Sequence, residues 1–408
     1  MVGLRVWMAM LAVLLVSGCA TAPEPPAGPR PLTILVSIDG FRPDYLNAED
    51  TPTLARLAAE GVIAPAGMRP SYPSSTFPNH YTLVTGLRPD HHGIVSNTML
   101  DPVLGGFAMQ NKDAVVDRRW WDQGEPIWVA AERAGIRTAT LFWPGSEADI
   151  RGVRPTRSTT FDQGMASTAR VDLLLSWLGD PAERPGFATL YFDIVDTAGH
   201  SFGPGSPEVK SSAREVDAAI SRLVDGLKAG GLEGKVNLLI VADHGMTAVT
   251  PGNLVIADLA DPGAVRLVTG GAPATFALIP GQEARGEALL LRPHEHMTCW
   301  RKGEVPKRLA YGTNPRVPAI VCMAQLGWTI TNVEGAARRK PYVRVTGAHG
   351  YDPAEPDMRA LFLAWGPSVR SGATVGVFDN VGVYPLLARL IGVKPAKGDG
   401  TLPKGVLR

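Results

Sequence analysis

The sequence has few cysteines and almost no excess of charge of either sign. The chain has three cysteines among 408 residues, and 40 Lys and Arg side chains balance 39 Asp and Glu side chains. This balance argues against a protein that binds nucleic-acid polymers, because such proteins normally carry a basic excess. Hydrophobic residues make up 45% of the chain and charged residues 19%, which also excludes wholesale disorder.

Long apolar runs are lacking as well. The N-terminal run at residues 6–16 is too short to cross a hydrocarbon core of about 30 Å, but it is typical of a signal peptide. It ends in LVSGC, which resembles a bacterial lipobox, so we predict a lipoprotein signal peptide over residues 1–19 and lipidation of Cys19. An ordinary signal peptide with an incidental cysteine is the alternative.

The stretch that follows the predicted signal peptide, residues 20–31, contains five prolines and is predicted to form a stiff, extended tether. Together the two segments predict an exported lipoprotein of the periplasm or cell envelope, attached to the membrane through its lipid anchor only.

The other two cysteines, Cys299 and Cys322, lack the closely spaced partners of a cysteine metal site. In an exported protein they are predicted to form a disulfide, because such bonds persist in oxidising compartments. Two unpaired buried thiols are the alternative.

Apolar, β-branched runs alternate with amphipathic stretches along most of the chain. Strands are predicted at residues 32–38, 137–142, 186–192, 236–242 and 359–365, and helices at 52–60, 76–84, 125–134, 207–228 and 381–390. This alternation predicts an α/β domain over residues 32–395, with a mostly parallel sheet flanked by helices. Short strands separated by Pro and Gly between about residues 251 and 342 predict a smaller inserted cap subdomain.

Four separate segments carry Asp and His residues, three of them directly after apolar strands. These residues are Asp39, Asp196, His200, Asp243, His244 and His349. The carboxyl ends of parallel strands line one crevice, so the side chains are expected to converge there. Such ligands suit Zn²⁺ or a similar ion, and two ions about 4 Å apart suit in-line displacement at phosphorus. Any one of these residues alone is more simply a turn, a cap or a partly buried side chain.

A hydroxyl-rich segment, residues 70–80, contains the candidate nucleophile, Thr76. A hydroxyl at a helix N-terminus lies where backbone N–H groups and the helix dipole favour an anion. Thr76 is also consistent with a simple helix cap, and Ser74 or Ser75 could serve as the cap instead. Local features alone do not decide between these alternatives.

Taken together, these segments resemble the nucleotide pyrophosphatase/phosphodiesterase family of the alkaline phosphatase superfamily. The resemblance runs from about residue 32 to 390 and rests on motifs in the family's order: TFPNHY at 76–81, TGLRP at 85–89, HGIVSN at 92–97, DxxGHxxGP at 196–204, DHGM at 243–246 and HGY at 349–351. It implies an alkaline-phosphatase-like fold and two Zn²⁺ or similar divalent ions. The implied substrates are small nucleotides or phosphodiesters.

The resemblance also implies a role for each site residue. The residues that would hold one ion are Asp39, Thr76, Asp243 and His244, and those that would hold the other are Asp196, His200 and His349. Thr76 would attack phosphorus and form a covalent threonyl intermediate. Asn97 would donate to a non-bridging phosphate oxygen beside the backbone N–H of the nucleophile. Phe77 and Tyr191 would stack on a nucleobase.

A few positions depart from the family pattern. The family usually has Glu and Pro where this chain has Asp193 and Val195, which puts the shape of that loop in question. Ser75 stands where many relatives have Lys. Neither difference touches a proposed metal ligand.

Two alternative functions compete with a phosphodiesterase or nucleotide pyrophosphatase. One is a phosphate monoesterase of the same superfamily, but the Lys and Arg that clamp its dianionic substrate have no counterpart in residues 142–146. The other is a non-catalytic surface lipoprotein, which would lack a ligand or the nucleophile, and none is missing. The predicted function is therefore hydrolysis of phosphodiester or phosphoanhydride bonds at two metal ions.

Overall fold

The computed structural model describes residues 30–338 and 344–408, and within these ranges the chain forms 18 β-strands and 11 α-helices. The strands are β1 Leu32–Ile38, β2 Val62–Ile63, β3 Thr98–Asp101, β4 Gly105–Ala108, β5 Thr138–Leu141, β6 Arg157–Thr159, β7 Phe187–Phe192, β8 Val236–Val241, β9 Thr247–Val249, β10 Leu254–Ile256, β11 Val265–Thr269, β12 Pro273–Leu278, β13 Met297–Arg301, β14 Ile320–Ala324, β15 Thr329–Thr331, β16 Thr346–Ala348, β17 Phe362–Trp365 and β18 Ala373–Thr374. The helices are α1 Pro52–Glu60, α2 Thr76–Thr85, α3 Pro89–His92, α4 Lys112–Val116, α5 Ile127–Arg133, α6 Ser167–Leu178, α7 Ile194–Phe202, α8 Pro207–Ala229, α9 Glu283–Leu290, α10 Val333–Arg338 and α11 Val383–Ile391.

Eight strands form the central sheet, in the order β18-β2-β17-β8-β1-β7-β5-β6. β1 pairs in parallel with both β7 and β8, and β5 and β6 extend the parallel array beyond β7. Among the described strands of this sheet, only β17 runs antiparallel to its neighbours β8 and β2. The prediction of an α/β fold with a mostly parallel sheet is therefore confirmed.

The three central strands explain where the site forms. Every residue of β1, β7 and β8 is buried, as expected for parallel strands that are covered on both faces. Because these strands run side by side in one direction, their carboxyl ends lie at one edge of the sheet. The predicted Asp and His ligands follow these ends.

Helix α8 shows how the helices pack on the sheet and on one another. Its buried side chains recur every three or four positions, at Val209, Ala213, Val216, Ile220, Leu223 and Leu227, so it presents one apolar face to the core. Asp217 on this face accepts hydrogen bonds from the backbone N–H groups of Thr53 and Leu54 at 3.0 and 2.8 Å. Asp217 therefore caps the N-terminus of α1 from a helix far away in the sequence.

The region between residues 251 and 342 contains its own small sheet. β11, β12, β14 and β13 pair antiparallel in that order, over a second set of buried side chains that includes Phe276, Leu290 and Ile320. Cys299 on β13 and Cys322 on β14 are cross-strand partners and form a disulfide. The small sheet differs from the central sheet in strand direction, and its strand β14 contributes to both cores, with Ile320 and Cys322 in the second set and Val321 in the main core.

Part of this region packs against the main core, and we call it the return segment, residues 303–317. Its Tyr311 is buried in the main core and donates its hydroxyl to Val95 O at 3.0 Å. Asp90 accepts two backbone N–H bonds from the return segment, and Arg316 pairs with Asp101 at 2.7 Å. The inserted region is therefore joined to the main core through buried hydrogen bonds as well as through the chain.

The predicted signal peptide, the lipidated Cys19 and all but the end of the predicted tether lie outside the described residues, so these remain predictions. Among the described helices, none is both long and apolar enough to cross a membrane.

Candidate active site

Six acidic and histidine side chains meet at the carboxyl edge of the central sheet. They are Asp39 after β1, Asp196 and His200 on α7 after β7, Asp243 and His244 after β8, and His349 after β16. The hydroxyl of Thr76, the first residue of α2, lies among them. The structure thus brings together all the residues that the sequence suggested as metal ligands.

Three of these residues, Asp196, His200 and His349, form the outer set. Asp196 and His200 lie one turn apart on α7 and so share a face of the helix. His200 Nε2 lies 3.4 Å from Asp196 Oδ2, and His349 Nε2 lies 3.1 Å from His200 Nε2. One ligand atom from each of the three residues lies within 4.8 Å of the other two, a spacing that one metal ion can bridge.

The inner set is Asp39, Asp243 and His244, next to Thr76. His244 Nε2 lies 3.0 Å from Asp243 Oδ2, 3.5 Å from Asp39 Oδ1 and 3.4 Å from Thr76 Oγ1. Each of the three ligand side chains is at most 2% exposed. The two sets are adjacent, because the ring of His244 stacks on that of His349 with centroids 3.6 Å apart.

The histidine rings are oriented by the backbone. His200, His244 and His349 each use Nδ1 to bond a carbonyl oxygen, of Gly347, Gly245 and Ser74 respectively, at 2.8–3.0 Å. A carbonyl oxygen can only accept, so each Nδ1 carries the proton and, in a neutral ring, Nε2 carries a lone pair. This orientation is typical of metal-binding histidines, whose second nitrogen donates to a backbone or carboxylate oxygen.

The carboxylates present lone pairs to the same space. Asp39 Oδ1, Asp196 Oδ1 and Asp243 Oδ2 are buried and accept no hydrogen bond from the described residues. A buried carboxylate oxygen without a hydrogen-bond partner is costly. A divalent cation in each set would satisfy these oxygen and nitrogen lone pairs together. The donors therefore fit a pair of zinc-like ions.

The pKa values of these groups reflect burial first and mutual repulsion second. Burial, with repulsion from Asp243 and Asp196, holds the pKa of Asp39 well above its usual value. Burial also raises the pKa of Asp196. Burial pushes the pKa of Asp243 upward, but attraction to His244 and His80 outweighs it, and the net shift is downward. Burial and the neighbouring His244 and His200 lower the pKa of His349, which leaves its ring neutral and able to bind a metal.

Thr76 is the first helical residue of α2, and Ser75, with an extended backbone, holds the N-cap position without a side-chain capping bond. The Thr76 hydroxyl instead faces His244 Nε2. This placement disfavours a simple capping role for Thr76, because the position before it is the cap. The partial positive charge at the N-terminus of α2 would stabilise an anion bound at this hydroxyl.

Asn97 lies beside the start of α2. Its side-chain Oδ1 accepts the backbone N–H of Phe77 at 2.8 Å. The amide oxygen is therefore occupied by the helix, which leaves the NH₂ end of Asn97 as its donor towards a ligand.

His80, one turn into α2, lies beneath the inner set and is fully buried. Its Nδ1 bonds the carbonyl oxygen of Thr76 at 2.9 Å, and its Nε2 bonds Ser37 Oγ at 2.8 Å. A nitrogen of its ring and carboxylate oxygens of Asp39 and Asp243 lie within 4.8 Å of one another, which is close enough for one metal ion to bind all three residues. Both ring nitrogens are already used, however, so we assign His80 to support of the Thr76 backbone and not to metal binding.

A cavity of about 350 Å³, the aromatic cavity, opens beside Thr76. Phe77, Phe142, Phe161 and Tyr191 are among its lining residues. The sequence suggested Tyr191 as a stacking ring; the residue is 7% exposed and its hydroxyl donates to Asp39 Oδ2 at 2.6 Å, and its stacking role stays a prediction. Phe161, which the sequence did not suggest, adds a half-buried ring to the lining. It lies in an irregular segment with no motif that could have marked it.

A second cavity, of about 420 Å³, lies next to the outer set. Asn97, His200 and His349 line it from the main domain, and residues 268–273 of the inserted region form another part of its wall. Thr269, in that wall, bonds the carbonyl oxygen of Thr98 at 2.5 Å. The site therefore has two separate spaces, one aromatic and one shared with the inserted region.

Comparison with known proteins agrees with this geometry. The sequence profile described as "Type I phosphodiesterase / nucleotide pyrophosphatase" matches residues 33–352. A pyrophosphatase/phosphodiesterase of Schizosaccharomyces pombe, itself uncharacterised, is 36% identical over 90% of this chain and 78% of its own length. Bovine ectonucleotide pyrophosphatase/phosphodiesterase family member 3 is 36% identical over 94% of this chain, which spans 45% of that relative.

Solved structures show the same similarity in three dimensions. Murine ectonucleotide pyrophosphatase/phosphodiesterase 5 superposes with a TM-score of 0.85 at 31% identity, covering 91% of this chain and 97% of its own. An inactive threonine-to-alanine variant of that murine protein, in complex with AMP, superposes equally well. The chain described here belongs to the type I phosphodiesterase/nucleotide pyrophosphatase family, within the alkaline phosphatase superfamily.

Proposed function

We propose that this chain hydrolyses phosphodiester or phosphoanhydride bonds of nucleotides and related small diesters, with Thr76 as nucleophile. The observation that carries the proposal is the position of the Thr76 hydroxyl, at the positive end of α2 and 3.4 Å from a ligand atom of the inner set. Family membership supports the same class of reaction.

The outer and inner sets would each hold one zinc-like ion, with Thr76 joining the inner set. When bound, the two ions supply Lewis acidity that favours the ionised hydroxyl and neutralises charge on the phosphate. The chain's own contribution is to fix the ligands. Strand ends place the carboxylates, and backbone carbonyls hold the three imidazoles with Nε2 facing inward.

The reaction would proceed in two displacements. Thr76 Oγ1, its proton lost to solvent, forms a bond to phosphorus while the bond to the leaving oxygen breaks. Water then attacks phosphorus in this threonine phosphodiester, the bond to Thr76 Oγ1 breaks, and the phosphate monoester is released while a proton from the water restores the hydroxyl. The NH₂ of Asn97 and the N-terminus of α2 would stabilise the non-bridging oxygens as negative charge builds on them.

The aromatic cavity supports a nucleoside as the retained half of the substrate. Phe77 borders Thr76 directly in sequence, and Phe161 faces the same space. Aromatic rings bind a nucleobase by stacking, which contributes about 1–3 kcal/mol per base. AMP bound to the murine relative is consistent with a nucleotide at this site.

Two threonines of α2 allow a direct test of the nucleophile. Thr76→Ala removes the attacking oxygen and is expected to lower hydrolysis of thymidine 5′-monophosphate p-nitrophenyl ester by about three orders of magnitude or more. Thr76→Ser keeps a hydroxyl and should keep measurable turnover. Thr85→Ala is the matched control, because the Thr85 hydroxyl donates to Tyr81 O and accepts from Leu87 N at the far end of the helix.

If Thr76→Ala turns over at nearly the wild-type rate, the covalent mechanism is wrong. If wild-type protein prefers p-nitrophenyl phosphate to the thymidine diester, the protein is a monoesterase. Melting temperature and metal content should stay close to wild type in all three variants.

We also propose that the protein is exported and anchored by a lipid on Cys19, as the N-terminal sequence predicts. Mass spectrometry of protein from the membrane fraction should show an acylated N-terminal Cys19, and Cys19→Ser should be free of acyl groups. A wild-type product recovered soluble and without lipid would contradict the anchor.

A further inference from the structure

Arg170 on α6 is a buried cation beside the aromatic cavity, with 1% of its side chain exposed. It donates to Asp193 Oδ1 at 2.8 Å and to Tyr191 O at 3.0 Å. It also donates to Met165 O at 2.9 Å and to Gln163 O at 3.4 Å. A planar guanidinium with five N–H donors suits several fixed acceptors at once. Arg170 therefore joins the end of β7 to the irregular segment before α6.

Two rings of the cavity lining pack on the same guanidinium. The Cζ atom of Arg170 lies 5.2 Å from the ring centroid of Phe142 and 5.9 Å from that of Phe161. The two rings also meet edge to face, with centroids 5.3 Å apart. Phe161 lies outside regular secondary structure, between β6 and α6. Its position therefore depends on side-chain packing, and the guanidinium is one of its packing partners.

The acidic partner of Arg170 is also part of the cavity. Asp193 lines it, is 10% exposed and accepts a hydrogen bond from Gln163 Nε2 at 3.1 Å. A buried charge needs a partner, so the ion pair holds Asp193 and Gln163 in one arrangement. One guanidinium thus fixes both aromatic and polar groups of the cavity lining.

We propose that Arg170 is a positioning residue for nucleobase binding: it holds Phe161 and Asp193 at the aromatic cavity without touching substrate itself. This inference rests on the proposed function, which places a nucleoside in that cavity. Loss of Arg170 should therefore weaken binding of the base and leave the chemistry at Thr76 intact.

Arg316 provides a matched control within the same chain. It is also buried, pairs with Asp101 at 2.7 Å, donates to backbone carbonyls and packs over Trp120 with Cζ 4.9 Å from the ring centroid. It lines neither cavity of the site. A Lys in place of Arg316 removes the same planar guanidinium from a similar setting.

The experiment compares Arg170→Lys and Arg316→Lys with wild type on two diesters that share a leaving group. These are thymidine 5′-monophosphate p-nitrophenyl ester and methyl p-nitrophenyl phosphate, which has no base. Arg170→Lys is expected to raise KM for the thymidine ester by about tenfold, with kcat nearly unchanged and little change on the methyl ester. Inhibition by AMP should weaken in parallel, while inhibition by inorganic phosphate should not.

A purely structural role makes a different prediction. Both Lys variants would then lower the melting temperature and change the two diester activities by the same factor, and that result would overturn the proposal. If wild-type protein hydrolyses both diesters equally well, no base is recognised and the inference fails, while hydrolysis itself is retained. If wild type hydrolyses neither, the proposed function fails first.

If Arg170→Lys does not fold, the double variant Arg170→Met/Asp193→Asn takes its place. It removes both charges of the pair at nearly constant volume, so no buried charge is left unpaired. The same selective rise in KM for the thymidine ester is expected, because Phe161 still loses its packing partner. An unchanged ratio of the two KM values would refute the proposal.

Discussion

The inner and outer sets contain similar ligands but are built differently. The inner carboxylates and His244 follow β1 and β8 directly and are at most 2% exposed. The outer set depends on one turn of α7 and on His349 after β16, and the His200 side chain is 45% exposed. One set therefore belongs to the sheet, and the other joins α7 to the residue that follows β16.

This difference separates two demands on the site. The proposed nucleophile, Thr76, lies at the buried inner set. The leaving half of the substrate and the attacking water need space, and His200 and His349 of the outer set line the second cavity. The two demands thus fall on different sets, and changing the ligands one at a time should give different results.

The largest effect is expected from the inner set. Asp243→Asn should lower turnover of the thymidine ester by about a thousandfold or more, because Asp243 would be a ligand next to the nucleophile. Asp217→Asn is the matched control, a buried Asp that caps α1 and lies outside the site. It should lose about 1 kcal/mol of stability and keep its turnover. Equal loss of turnover in both variants would show that the effect comes from folding.

An intermediate effect is expected in metal content. His200→Ala should retain one zinc per chain by elemental analysis after dialysis, because the buried inner set stays complete. In wild-type protein, a chelator should remove one ion quickly and the other slowly, since solvent reaches His200 more easily than His244. Simultaneous loss of both ions at one rate would contradict the independence of the two sets.

The smallest effect is expected in the stability of the metal-free protein. The pKa of Asp39 is raised by burial and by its acidic neighbours, so its ionisation weakens the folded state as pH rises above the unfolded pKa of about 3.9. Without metal, Asp39→Asn should therefore melt above wild type at neutral pH, and the difference should shrink in acid.

Asp243→Asn is the control for this measurement, because the opposite change in melting temperature is expected. Attraction to His244 and His80 outweighs burial and lowers the pKa of Asp243, so its ionised form stabilises the fold. This variant should melt below wild type at neutral pH in the presence of chelator. If both Asn variants shift the melting temperature in the same direction, the repulsion assigned to Asp39 is absent.

Much of the fold was predictable because its signals are local. The runs that form β1, β7 and β8 are apolar enough to indicate buried parallel strands, and α1 and α8 end close to the predicted bounds. The clustering of five of the six ligands followed from their places after apolar strands, whereas His349 reaches them from the segment after β16. Helices α6 and α7 were not predicted, since α7 is short and begins at Ile194 directly after Asp193.

The parts that escaped prediction depend on contacts between distant segments. A lone arginine on a helix such as Arg170 gives no sign in the sequence that it is buried and paired with Asp193. At that departure from the family pattern, Asp193 is anchored by Arg170 and Val195 is a buried residue of α7. Phe161 and the hydroxyl bond of Tyr191 to Asp39 likewise appear only in three dimensions.

The return segment has a consequence for the order of folding. Its bonds join residues such as Asp90 and Gly312, which are 222 positions apart. Contacts over such sequence distances form late, because a long loop must close before they can contribute. The pairing of β1 with β8 spans a similar distance, since Leu32 lies opposite Val236. We therefore expect the central sheet and the return segment to gain hydrogen-exchange protection together during refolding, after local elements such as α8. Catalytic competence should then appear together with the protection of the return segment and not before it.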